Sequence, residues 1–318
     1  MKKIALLLLG ISLTVLASSF FSEKKENTIQ IGVCQAVEHE ALNSVVRGLK
    51  DFLGGCGGNY AFVEQTCQGN MALASQIVSR FVAAGVVLVA TVGTTPSQCA
   101  FRFAKGGKTS LIFGSVTNPA DISANLADCN TTGVSNFVEL DPQIKMFKKI
   151  QPTLKNIGII YNTGEANSAF ILKKMRETCR RNDIALLEKG ISKLSEISQV
   201  AAQLSRTADA IFISNDNLAL SSISKVIDVC NKSKIPVYVS DTDQVEKGCL
   251  AALGPNQYDI GVQMGKMVAR VAAGENINKI AIEYPQSCEL FINLKAAKKL
   301  GMTIPSEILL QAKTVIGE

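Results

Sequence analysis

Small polar and acidic residues recur just behind short apolar runs in this chain. Glu38 and His39 follow the run at 29–34. Thr94 and Thr95 follow 86–92, and Ser115 and Thr117 close 110–116. In the second half Tyr161, Asn162, Glu165, Asn167 and Ser168 follow 157–161. Asp216 and Asn217 follow 210–214, and Asp241, Thr242 and Asp243 follow 236–240. The first-half hydroxyls, set beside helix starts with free backbone N–H groups, suit a carboxylate. The second-half acids suit an ammonium group. A zwitterion held between the two sets would have each pole met by charge-assisted hydrogen bonds, which offset the cost of burying it. Tyr161 and Tyr258 would wall an apolar side chain. Thr94, Thr95, Ser168 and Asp216 are also good helix N-caps, so each alone has a purely structural explanation. Recurrence of the whole set at strand ends favours a binding site. Sugars are the alternative ligand, because Asn167, Asn217 and Asp216 also suit hydroxyl groups.

Enzymatic chemistry finds little support. The lone His39 has no nucleophile motif beside it, and G-x-S-x-G is absent. Gly106-Gly107-Lys108-Thr109 lacks the upstream glycine of a phosphate loop and precedes a strand, so it reads as a turn. Gly54-Gly55-Cys56-Gly57-Gly58 follows a helix and reads as its end. Asp241 and Asp243 form a pair of acids with nothing to activate. No enzyme, cofactor or metal is expected. The nine cysteines include no C-x-x-C, and zinc spacing is missing. Cys56 and Cys67 flank a turn and one strand and are candidates to pair, although connectivity is not fixed by sequence.

The elements that position these residues alternate. Apolar strand runs give way to amphipathic helices, as in 40–53, where Ala41, Leu42, Val45, Val46, Leu49, Phe52 and Leu53 share one face. Further helices are expected at 71–84, 96–104, 166–181, 195–204, 218–231 and 258–273. Buried strands alternating with helices imply parallel sheets and an α/β fold. The two halves echo each other: 29–33 matches 156–160, and 115–118 matches 240–243. Two Rossmann-like lobes follow, joined by a three-crossover hinge. The first lobe takes 28–138 and 252–285; the second takes 139–251 and 286–318. Ligands of open parallel sheets bind beyond the carboxyl ends of the strands.

At the N-terminus Lys2 and Lys3 precede an apolar run at 4–16, and Ala17, Ser18 and Ser19 follow. That order describes a secretory signal peptide at 1–17, cut after Ala17. Retention as a membrane anchor is the alternative. Export places the protein in the periplasm or on the outer face of the cytoplasmic membrane. The net charge of +6 is scattered among acids, which argues against nucleic acid.

Several segments together are similar to one family of ABC-transporter substrate-binding proteins. They include Val37-Glu38-His39-Glu40-Ala41-Leu42-Asn43, Thr94-Thr95-Pro96, Ser115-Val116-Thr117-Asn118-Pro119 and Tyr161-Asn162-Thr163-Gly164-Glu165-Ala166-Asn167-Ser168. Asn215-Asp216-Asn217, Ser240-Asp241-Thr242-Asp243 and Ile292-Asn293-Leu294-Lys295-Ala296-Ala297 continue the match. The resemblance implies the type I periplasmic-binding fold, a membrane permease as partner and an aromatic amino acid as ligand. It also implies that first-lobe hydroxyls hold the carboxylate and second-lobe acids the ammonium. A monomer that presents its ligand to an importer is expected, with a sensory role as the rival. The family usually has Pro and Asp where this chain has Glu40 and Asn43, and Asp where it has Asn70.

Overall fold

The computed structural model describes residues 28–317, except 87 and 108. The expected signal peptide lies outside the described residues. Two sheets organise the chain. The first contains β1 (Ile29–Gln35), β2 (Tyr60–Thr66), β3 (Leu88–Val92), β4 (Ser110–Val116) and β5 (Thr131–Ser135), in the order β2-β1-β3-β4-β5. The second contains β6 (Asn156–Asn162), β7 (Ala185–Ile191), β8 (Ala210–Ile213), β9 (Val237–Val239), β10 (Ala251–Gly254), β11 (Glu289–Asn293) and β12 (Thr314–Ile316). Its order is β12-β11-β10-β9-β8-β6-β7. The stretch β7-β6-β8-β9-β10 repeats the topology of the first sheet, so the echo between the halves is structural. All pairings are parallel except β10 with β11.

Helices cover both faces. The first lobe carries α1 (Glu40–Gly55), α2 (Met71–Ala83) and α3 (Thr94–Ala104). The second carries α4 (Leu140–Ile150), α5 (Ala166–Arg181), α6 (Ile197–Leu204), α7 (Asn217–Ser221) and α8 (Ile223–Lys232). The chain then returns to the first lobe as α9 (Gln257–Ala272), which packs along α1. Each sheet separates two apolar clusters. Ile31, Val33, Leu49, Met264 and Val268 fill one side of the first sheet, and Cys34, Ile77, Phe81, Leu111 and Phe113 the other. In the second, Phe147 stacks on Tyr238 with ring centroids 4.2 Å apart, while Ile211, Ile213 and Val226 fill the opposite face.

Three expectations change. β10 sits in the second sheet, so the chain crosses back after Gly254 and not at 252. The helix expected at 218–231 is two, broken at Ser222. Cys56 and Cys67 do not pair: Cys56 is exposed at the end of α1, whereas Cys67 is buried in the core with Cys34 and donates its thiol to the Ala36 carbonyl at 3.4 Å. The nine cysteines are all free thiols.

Candidate functional site

The carboxyl ends of β1, β3, β4 and β5 face those of β6, β8 and β9 across a cleft. Local backbone chemistry aims the side chains. Two residues of β4, Ser115 and Val116, oppose a single residue of β5, which makes Ser115 a bulge at φ 51°. A bulge turns a side chain out of the pleat, and here it turns Ser115 into the cleft. Gly93, at φ 99°, leads into α3; a Cβ there would come within 2.8 Å of the Ala36 Cβ. Only glycine lets the β1 and β3 ends close together and set Thr94 at the cleft edge.

Polar contacts then cross between the lobes. The Ser115 hydroxyl donates to Gln257 Oε1 at 2.8 Å, and Gln257 Nε2 donates to Asp241 Oδ1 at 2.8 Å. Asn215 Nδ2 reaches Asn136 Oδ1 at 3.2 Å and Thr117 Oγ1 at 3.4 Å. His39 Nε2 lies 3.3 Å from Asn217 Oδ1. These residues, with Ala41, Leu42, Thr94, Asn167 and Leu220, line a nearly closed cavity of about 10 Å³. That is far below the usual range of small-molecule pockets, ~300–1,000 Å³, so the lobes must part to admit a ligand.

Buried charge shapes this site. Burial pushes the Asp241 carboxyl up to about 7, with the negative charge of Asp243 adding to the effect. Burial likewise pushes Asp216 up to about 7, aided by Glu165. Burial lowers His39 to about 4. Glu165 is itself buried and accepts from Asn162 Nδ2, Asn167 Nδ2, the Asn217 backbone N–H and Asn217 Nδ2.

The structure brings Thr94, Ser115, Thr117, Asn167, Asn217 and Asp241 to the cavity. Asp216 is not on it. Its carboxylate caps α7 through the Ala219 N–H and also accepts from Ser168 Oγ and the Asn162 N–H. Ser168 therefore serves Asp216. Thr95 is buried outside the lining. Glu38 faces an open groove with Asn43, Arg47 and Lys50. Tyr161 packs against the second-lobe core, and the Tyr258 hydroxyl donates to Asp51 at the surface; neither lines the cavity. The three departures from the family pattern also lie elsewhere: Glu40 is exposed, Asn43 lines the groove and Asn70 caps α2. His39, named among the strand-end residues, also lines the cavity, whereas sequence reading missed Asn136, Asn215 and Gln257. The strand-end rule reaches Asn136 and Asn215, which follow β5 and β8. Nothing local marks Gln257, which enters from the second crossing.

Among the described residues no cluster of three His, Cys, Asp or Glu side chains could hold a metal. No helix among them is long and apolar enough to cross a membrane.

Comparison with known proteins decides the class. The family described as ABC transporter substrate binding protein matches residues 30–316. This chain belongs to that family. It is 30% identical over 289 residues to a tyrosine-binding protein of Clostridioides difficile, covering 88% of this chain and 82% of the relative. A Streptococcus pneumonia domain in complex with L-Trp is 27% identical at a TM-score of 0.86, covering 91% of this chain and all of that one (100%). A ligand-free, open substrate binding protein from Clostridium difficile is 28% identical over 92% of this chain and 100% of that one, at a TM-score of 0.67. Identity and coverage are nearly equal in the last two, and the structure superposes more closely on the ligand-bound relative than on the open one.

Proposed function

We propose that this substrate-binding protein captures an L-amino acid, aromatic in preference, and delivers it to the membrane permease of an ABC importer without turnover. Substrate-binding proteins of this class work outside the cytoplasm. The observation that carries the reading is the polarity of the cavity. Hydroxyls of Thr94, Ser115 and Thr117 stand on the first lobe, and the acceptors of Asn167, Asn217 and Asp241 stand on the second. A carboxylate and an ammonium group on one small molecule match that division. The relatives that bind tyrosine and tryptophan supply the preference for an aromatic side chain, and Ala41, Leu42 and Leu220 give the cavity its apolar surface. With five carboxamide side chains around the cavity, Asn136, Asn167, Asn215, Asn217 and Gln257, a sugar is the competing ligand. Titration calorimetry against L-tyrosine, L-tryptophan, L-phenylalanine and neutral sugars separates the two. One-to-one binding of an amino acid is expected. Binding of a sugar with no response to any amino acid would overturn the ligand class.

A further inference from the structure

Two buried side chains that line the cavity carry unpartnered polar atoms, and chemistry fixes both as acceptors. His39 is 7% exposed and Asn167 is 2% exposed. His39 Nδ1 and Asn167 Oδ1 have no hydrogen-bond partner, and both residues line the cavity. The orientation of each is forced by what stands behind it. Asn217 Nδ2 donates to Glu165 Oε2 at 2.9 Å, so Asn217 turns its Oδ1 toward His39. A carboxamide oxygen only accepts, so His39 carries its proton on Nε2 and leaves Nδ1 as a bare acceptor. Asn167 Nδ2 donates to Glu165 Oε2 at 2.9 Å and to the Asn215 carbonyl at 2.6 Å, both pure acceptors, so its Oδ1 must face away from them. Buried acceptors left empty cost free energy. A ligand group with several N–H donors and no lone pair would satisfy them.

We infer that His39 Nδ1 and Asn167 Oδ1 form the subsite for the ligand's primary ammonium group, with Glu165 supplying the compensating negative charge from behind. This rests on the amino-acid reading above and deepens it. The two acceptors come from different lobes: His39 precedes α1 in the first and Asn167 lies on α5 in the second. An ammonium group bonded to both ties the lobes together. Glu165 never touches the ligand. It is a positioning residue that orients the amides of Asn167 and Asn217 and, through Asn217, the His39 tautomer. Asp241 is the rival seat, but Gln257 Nε2 already donates to its Oδ1 at 2.8 Å, and burial raises the carboxyl toward neutrality, which weakens it as a partner for a cation. The low proton affinity of buried His39 keeps Nδ1 an acceptor at neutral pH.

The test compares L-tyrosine with 3-(4-hydroxyphenyl)propanoate, which keeps the ring and the carboxylate but lacks the ammonium group. Calorimetry is run on full-length wild-type protein, His39→Ala, Asn167→Leu, Glu165→Gln and Asp241→Asn, each checked for a cooperative thermal transition. The wild type should prefer tyrosine by about 100-fold or more, the scale of a lost charge-assisted pair. In His39→Ala and Asn167→Leu that preference should collapse by at least tenfold, with affinity for the analogue nearly unchanged. Glu165→Gln should reduce it too, and Asp241→Asn should keep most of it. Equal weakening of both compounds would show a merely structural role and overturn the inference. So would loss of the preference in Asp241→Asn alone. A wild type that binds no amino acid at all would instead sink the ligand class, a result visible before any variant is measured. Should His39→Ala fail to fold, His39→Asn, which is smaller and keeps a carboxamide acceptor, replaces it and should retain part of the preference.

Discussion

At the scale of single residues, two carboxyls that look alike in sequence do different work. Asp216 is enclosed by donors and caps a helix, while Asp241 faces the cavity and holds Gln257. Both are raised toward neutrality by burial, Asp216 beside Glu165 and Asp241 beside Asp243. The consequence for stability has a definite sign. The folded protein keeps a proton on Asp241 that the unfolded chain releases near the ordinary value of 3.8, up to about 7. Where the folded state binds more protons, stability falls as pH rises. Asp241 therefore costs stability increasingly between pH ~4 and ~7, with the full penalty above that window. Asp241→Asn removes the ionisation and keeps an acceptor for Gln257. In ligand-free protein its stability relative to wild type should rise by roughly 1–4 kcal/mol across this window and then level off. Urea denaturation at a series of pH values measures it. A stability difference independent of pH would refute the buried-carboxyl account.

Among the elements, the close crossing of α1 and α9 matters most for the site. His39 precedes α1, and Gln257 begins α9. A Cβ on Gly261 would lie 2.0 Å from the Val45 carbonyl oxygen, whereas one on Gly54 meets nothing within 4 Å. Gly261→Ala should force the helices apart at a cost of about 1–3 kcal/mol, typical of overpacking, and should weaken ligand binding by moving Gln257. Gly54→Ala, in the same helix pair, should leave affinity unchanged and stability equal or higher. Thermal melts with and without ligand read both effects, and equal behaviour of the two variants would contradict the packing argument. Such helices were legible from their apolar stripes, because one face of each is buried on a sheet. The break at Ser222 was not. Ala219, Leu220, Ile223, Val226, Ile227 and Cys230 keep an unbroken helical spacing across it, so periodicity alone predicts one helix. The second-sheet strand β12 is only three residues long and leaves no pattern to read. At the site, strand-end logic placed Ser115, Thr117, Asn167 and Asp241, since it follows from sheet topology. It could not tell cap from ligand contact at Asp216, where both uses ask for the same side chain. Nor could it find Gln257, whose place depends on where the third segment of chain lands.

At the scale of the whole molecule, the two lobes are drawn together by polar pairs across the proposed binding cavity. Gln257 links Ser115 to Asp241, His39 meets Asn217, and Asn215 meets Asn136. Each such hydrogen bond, exchanged against water, contributes only about 0.5–1.5 kcal/mol. Closing the cleft also buries the Asp241 carboxyl and leaves His39 Nδ1 and Asn167 Oδ1 without partners, which opposes the gain. The ligand-free closed state is thus shallow. A zwitterion that bonds to both lobes at once binds the closed state far better than the open one, and a ligand shifts an equilibrium only by that difference. The chain crosses between the two sheets near 136, 255 and 285, an arrangement suited to hinge rotation of one lobe against the other. Small-angle scattering of the ligand-free protein should therefore give a larger radius of gyration than the structure described here, and saturating amino acid should bring it down to the closed value. Ligand at about 100 times its dissociation constant should also add about 2.7 kcal/mol of stability, seen as a higher melting temperature. Gln257→Leu removes the bridge to Asp241 and should enlarge the ligand-free radius further without preventing compaction by ligand. A radius that stays at the closed value with and without a ligand proven to bind would mean a preformed, rigid pocket, and the hinge mechanism would have to be abandoned.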